Sequence, residues 1–254
     1  MPPIVLLAEQ IILNRGTMTA VITYTKGRVL KTHCELRVNF VPSQPSIKAL
    51  IRERKIYEAL GTHTSILEYF DPIPMDNDGG AHGLWLERAE YDTIRAILQG
   101  KVELPDKVLK DSMTRWRWIF QLISGLVHLH AHSFIHCDIS CRNIIVTSSL
   151  DAKLIDFGGS AALEADGLVV EEAHYSCPSM IQETKLPSFH TDIFALGSAM
   201  YEILTDSPPY SDISSDEAEN RFKELQFPET VNLRGGNVIL DCWKGKFETV
   251  EKVK

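Results

Sequence analysis

The stretch IFALGSAMYEIL, Ile193 to Leu204, constrains this chain more than any other. It reads as a helix that is apolar almost all round, so no face of it suits water. Such a helix belongs in the middle of a core, and the remaining chain has to be arranged around it. The 254 residues suit one large domain or two small lobes, and a 44% hydrophobic content is enough to enclose a helix of that kind.

The two halves carry different periodicities. Ile11–Leu13, Ala20–Thr25 and Arg28–Thr32 are strand-like, with Lys26 and Gly27 as a tight hairpin turn. Ser46 is expected to cap a helix that runs to Leu60 and stops at Gly61. Ile66–Phe70 and Leu84–Leu86 read as two more strands. After residue 90 the pattern turns helical: Ile119, Leu122, Ile123, Leu126 and Leu129 recur at helical spacing within Trp116–His130. A long irregular segment follows from Gly158 to about Pro187, and a loop of that length in a compact domain is usually functional. Strands first and helices afterwards argue for an α+β chain or two lobes.

Charge and cysteine content exclude several classes. A formal charge of −8 and a pI near 5.6 speak against a general nucleic-acid surface. The five cysteines are odd in number and lack the spacing of a secreted disulfide framework, so reduced thiols in a cytoplasmic protein are expected. Cys137 and Cys141 have no second pair of ligands near them, which argues against zinc. No uncharged apolar run is long enough to span a bilayer, and the opening MPPIVLLAEQIIL reads as a first strand rather than a signal peptide.

The segment FIHCDISCRNIIV, Phe134 to Val146, crowds an aspartate, an asparagine and two cysteines ahead of a β-branched strand. Metal binding, nucleophilic catalysis and carboxylate work on a phosphate all remain open on those residues alone. Ile144–Val146 and Ala152–Ile155 form a hairpin in sequence; with Ser149 and Leu150 at its tip, Asn143 falls opposite Asp156. A neutral and an anionic oxygen side by side, with Asp138 close by, suit a hard divalent cation such as Mg²⁺. Ordinary turn hydrogen bonds would explain the same residues.

In the helix Ile47–Leu60, Glu53 falls on the buried stripe of Leu50, Tyr57 and Leu60. No basic residue lies three or four positions from it, and a buried carboxylate without a partner is costly. Lys31, at the end of the strand Val29-Leu30-Lys31, is the best partner, unless Glu53 sits solvated at the edge of the stripe. In NRGTMTAV, Gly16 permits a close backbone approach and Val21 suits the cap of an apolar ring, although a single glycine in a turn is normally just a turn.

Taken together, these residues resemble a protein kinase over nearly the whole chain. His136-Cys137-Asp138 with Asn143 is similar to the catalytic loop, H-R-D-x-x-x-x-N, and Asp156-Phe157-Gly158 matches D-F-G. Lys31 and Glu53 resemble the strand lysine and its helix glutamate. Asn14, Gly16, Thr19 and Val21 occupy the G-x-G-x-x-G-x-V positions, and Cys177-Pro178-Ser179 takes the place of A-P-E. Thr191-Asp192 before IFALG resembles the helix that carries a buried aspartate.

The resemblance implies an α+β, bilobal protein-kinase-like fold. Residues 1–89 would form a β-rich N-lobe with one main helix, and residues 90–254 a helical C-lobe. It implies ATP and Mg²⁺ as cofactors and a protein substrate, and we expect a cytoplasmic monomer without nucleic-acid or membrane partners. Lys31, held by Glu53, would meet the α- and β-phosphates, Asn143 and Asp156 would hold Mg²⁺, and Asp138 would accept the substrate hydroxyl proton. Asn14, Gly16, Val21, Glu87 and Ala89 would surround the nucleotide, with adenine against the linker after Leu86. His136 is expected to brace the loop that carries Asp156.

The chain also departs from the pattern. Asn14 and Thr19 replace two loop glycines, and Cys137 replaces the arginine that normally receives an activation-loop phosphate. Activity is therefore expected not to require that phosphate. Ser179 replaces a glutamate whose usual partner arginine is also missing from LDCWKGKFETVEKV. Ser140 stands where Ser/Thr kinases carry Lys, and Arg142 resembles the D-L-A-A-R-N of tyrosine kinases, so it is a candidate for charge near the γ-phosphate. Tyr175 before Cys177-Pro178 follows the Ser/Thr pattern, which is favoured. The alternatives are a pseudokinase serving as a scaffold and a small-molecule phosphotransferase.

Overall fold

The structure is a computed structural model that describes residues 12–15, 19–25, 27–33, 44–74, 81–104, 106–109, 111–162, 172–176 and 187–253. Gly16 and Cys177-Pro178-Ser179 lie outside the described residues. The N-terminal part is an antiparallel sheet in the order β1 (Ile12–Arg15), β2 (Thr19–Thr25), β3 (Arg28–His33), β5 (Ala81–Glu87), β4 (Tyr69–Pro74), with α1 (Gln44–Leu60) packed on it. Gly27 carries φ 91°, the left-handed value that the turn between β2 and β3 demands.

Two local expectations fail here. The helix begins at Gln44, and Ser46 is buried within it rather than capping it. Pro45 sits in the first turn, where its missing N–H costs nothing, and that is the start signal the serine obscured. Ile66–Phe70 is not one strand. Ile66 bridges to Leu154, Leu67 N donates to Leu154 O at 3.1 Å, and β4 starts only at Tyr69. The loop after α1 thus pairs with the helical part of the chain before the sheet resumes.

The helical part is built on α4 (Ser112–Ala131) and α5 (Phe189–Thr205). Asp111 caps α4 and Ser188 caps α5, the latter in a reciprocal capping box with Thr191. Twelve residues of α5 are buried, as its sequence requires. Against it lies α7 (Gly236–Trp243), after α6 (Ser215–Lys223). The two helices approach closely because Gly197 and Ser198 are small. Trp243 Nε1 donates to Ser198 Oγ at 3.0 Å, and a Cβ on Gly197 would lie 2.8 Å from Cys242 Cβ.

The linker between the parts leads to α2 (Ile94–Leu98), which precedes the short α3 (Asp106–Leu109). The linker is laced to β7 (Ile144–Val146): Tyr91 N donates to Val146 O and Val146 N to Asp92 O. β7 pairs with β8 (Ala152–Leu154), and β6 (Phe134–Ile135) pairs with β9 (Ala161–Ala162). The β7–β8 register corrects another expectation. Ile144 faces Leu154, so Asn143 stands beside Ile155, not opposite Asp156. The turn carries one more residue than the expected two-residue tip: Thr147 N donates to Asp151 O, and Leu150 takes φ 63°.

Candidate active site

Lys31, from β3, is buried at the centre of the site. Its Nζ lies 2.7 Å from Glu53 on α1 and 2.7 Å from Asp156 Oδ1. Burial alone would lower its pKa, but the carboxylates of Asp156 and Glu53 outweigh burial and raise it. Lys31 is therefore a fixed cation. The Asp156 carboxyl is held below the usual aspartate range, first by Lys31, against the effect of burial. Asp156 itself adopts φ 70°, an uncommon conformation for a non-glycine residue, which turns its side chain out of the line of β8.

Phe157 follows directly and is fully buried. Its ring meets Tyr57 of α1 edge-on and His136 at 5.4 Å, while Tyr57 stacks on Tyr69 of β4 at 5.5 Å. A line of rings thus joins β4, α1, the Asp156 turn and the loop before Asp138. His136 Nε2 pairs with Ile155 O at 3.0 Å, which is the bracing expected of it. The same loop hangs from Asp192 of α5, whose oxygens accept from His136 N at 2.7 Å and Cys137 N at 3.0 Å. Asp192 also pairs with His130 Nε2 at 2.8 Å. Cys137 takes φ 67° and is buried, so the main chain fixes this loop without an arginine side chain.

Asn143 closes the loop on itself. Its Nδ2 donates to Asp138 O at 2.7 Å and to Asp138 Oδ2 at 2.8 Å. That leaves the amide oxygen for another partner. Burial raises the Asp138 pKa, opposed by His136, Asn143 and Arg142. The Asn143 backbone also joins the Asp156 side, since Ile155 N donates to Asn143 O at 3.0 Å. One neutral and one anionic oxygen, with Asp156 half exposed, fit a cation that keeps waters and shares ligand oxygens. Among the described residues no three His, Cys, Asp or Glu side chains are grouped to hold a metal by themselves.

The other expected residues lie around this centre. Asn14 pairs with Val21 across β1 and β2, and Val21 with Lys31 across β2 and β3, which sets them on adjacent strands beside the lysine. Glu87 ends β5 and binds Lys153 of β8 at 2.6 Å, while Ala89 lies in the linker. Arg142 Nε is 2.6 Å from Glu172, and its Nη2 is 3.6 Å from Asp138 Oδ1.

Sequence reasoning missed the acidic partners. Arg95 of α2 donates from Nε and Nη2 to Glu202, both at 2.9 Å, and from Nη1 to both oxygens of Glu172. Tyr175 OH joins Arg95 Nη2 at 2.9 Å and also contacts Glu202. Glu202 was detectable: it is the one carboxylate in the apolar stretch Ile193–Leu204 and had to find a cation.

The family model for the protein kinase domain matches residues 15–246. The chain belongs to that family. Among curated proteins, the serine/threonine-protein kinase PLK4 of Nematostella vectensis is 27% identical over 228 residues, 84% of this chain and 22% of its own length. The mitogen-activated protein kinase kinase kinase 20 of Arabidopsis thaliana is 26% identical over 204 residues, 77% of this chain and 58% of its own. The serine/threonine-protein kinase Nek6 of Oryza sativa subsp. japonica is 33% identical over 96 residues, 37% of this chain and 18% of its own. The chain thus spans between 18% and 58% of the length of these relatives.

Proposed function

We propose that this chain transfers the γ-phosphoryl group of ATP to a serine or threonine hydroxyl of a protein. The observation that carries the reading is the Lys31 ammonium held between Glu53 and Asp156, with Asp138 and Asn143 bonded together on the loop beside them. Phosphoryl transfer is mostly positioning and charge neutralisation, and this arrangement supplies both.

Lys31 binds the α- and β-phosphates, and Glu53 keeps its ammonium from folding away. Asn143 and Asp156 would hold Mg²⁺, which would neutralise phosphate charge when bound. Asp138 orients the hydroxyl and takes its proton; its raised pKa suits a base. Arg142 adds positive charge beside the acceptor. Adenine would lie between residues 1–89 and 90–254, against Val21, Glu87 and Ala89, and Asn14 and Gly16 would face the phosphates. Serine/threonine preference is supported by the relatives named serine/threonine-protein kinases. The protein is read as a cytoplasmic monomer; among the described residues Cys141 and Cys242 are free thiols, which suits a reducing compartment. No helix among the described residues is long and apolar enough to cross a membrane.

The test is radiolabelled ATP with Mg²⁺ and a mixed peptide library, comparing the wild type with Asp138→Asn and Lys31→Met. Transfer onto Ser/Thr peptides that both variants abolish is expected. Nucleotide binding without transfer in the wild type would make the chain a binding module instead.

A further inference from the structure

Arg142 faces two acids at unequal distances. Its Nε lies 2.6 Å from Glu172 Oε1, a tight ion pair, whereas its Nη2 stays 3.6 Å from Asp138 Oδ1, beyond hydrogen-bonding range. The two Asp138 oxygens also differ. Oδ2 accepts from Asn143 Nδ2, while Oδ1 is buried and has no hydrogen-bond partner among the described residues. An unpaired carboxylate oxygen beside a guanidinium ordinarily draws it into a charge-assisted bond of about 2.8 Å. Something holds this guanidinium back.

Glu172 is the only group tied to Arg142 strongly enough among the described residues, and Glu172 is itself anchored. Both of its oxygens accept from Arg95 Nη1, at 2.8 Å and 2.9 Å. Arg95 is locked on Glu202, which is buried in α5. The charges alternate from the core helix outward: Glu202, Arg95, Glu172, Arg142. The last cation therefore cannot approach Asp138 without giving up a partner fixed to the core.

We propose that Glu172 is a positioning residue that holds Arg142 off Asp138 Oδ1, so that Asn143 alone sets the orientation of the Asp138 carboxylate. The inference rests on the kinase reading of Asp138 and adds a residue that positions it. Glu172 lies outside the loop that carries Asp138 and Asn143, so the restraint reaches that loop from a separate part of the chain. The carboxylate is built into the sequence, and the restraint needs no added phosphate.

The test is a double-mutant cycle of Glu172→Gln and Arg142→Gln, measured as kcat and KM for ATP and peptide, with thermal midpoints recorded for each protein. Re-aiming the Asp138 carboxylate toward Arg142 is expected to lower kcat of Glu172→Gln on the order of 10²-fold while KM for ATP stays level. In the Arg142→Gln background the same Glu172→Gln change is expected to leave kcat nearly unaltered. A kcat of Glu172→Gln equal to wild type, or an equal loss in both backgrounds, overturns the proposal. A crystal structure of Glu172→Gln decides it separately from any activity. Arg142 drawn to about 2.8 Å from Asp138 Oδ1 is expected, and a separation still near 3.6 Å overturns it. If the wild type transfers no phosphate, the kinase reading fails, and that structure still decides the restraint.

Discussion

The ring of Tyr57 meets the ring of Phe157 edge-on, with 5.0 Å between centroids. This contact joins α1, which carries Glu53, to the turn that carries Asp156. The Tyr57 hydroxyl is buried and has no hydrogen-bond partner among the described residues. Removing it relieves a desolvation penalty, so Tyr57→Phe should raise stability by about 1 kcal/mol. Tyr57→Ala should cost about 3–5 kcal/mol through the cavity it leaves. Urea denaturation of both variants checks the opposite signs.

Asp192 holds two main-chain N–H groups that have no water to turn to. Asp192→Ala strands both in a fully buried place, at a cost of about 3–5 kcal/mol. In a variant that remains folded, the amides of His136 and Cys137 should exchange with solvent much faster than in the wild type. Hydrogen exchange followed by NMR measures this directly.

Gly197 lies under α7. Alanine would gain about 1 kcal/mol of helix propensity, yet its Cβ would stand 2.8 Å from Cys242 Cβ and 3.3 Å from Ile239 O. Overpacking of this kind costs about 1–3 kcal/mol. Gly197→Ala is therefore expected to destabilise, and Gly197→Ala with Cys242→Ala to recover part of the loss. Thermal melts of the single and double variants distinguish the two.

The Asp156 carboxyl is depressed in the folded chain by Lys31. Its ionised form stabilises the fold above the unfolded value, about pH 4, and that contribution disappears as pH falls through the lower folded value. Asp156→Asn lacks this group. Between about pH 5 and pH 3 its denaturation midpoint should fall less steeply than that of the wild type.

Much of the site was legible because chemistry left few choices. Glu53 on a buried stripe needed a cation, and Lys31 is that cation. An apolar helix needed a core, and α5 lies in it. What could not be read was geometry that depends on a single residue. The β7–β8 turn takes one residue more than assumed, because Leu150 accepts a left-handed conformation that sequence does not advertise. Asp156 reaches Lys31 through its own unusual backbone rather than through strand pairing with Asn143. The partners of Arg95 and Arg142 lie 77 and 30 positions away at Glu172, farther than any local pattern reaches.

The loop before Asp138 is suspended from α5 by peptide nitrogens, at His136 and Cys137, which any amino acid except proline would provide. Its suspension thus needs no particular side chain at 137, only one that fits a buried site and accepts φ 67°. A thiol in place of a guanidinium at that position leaves the hanger itself untouched.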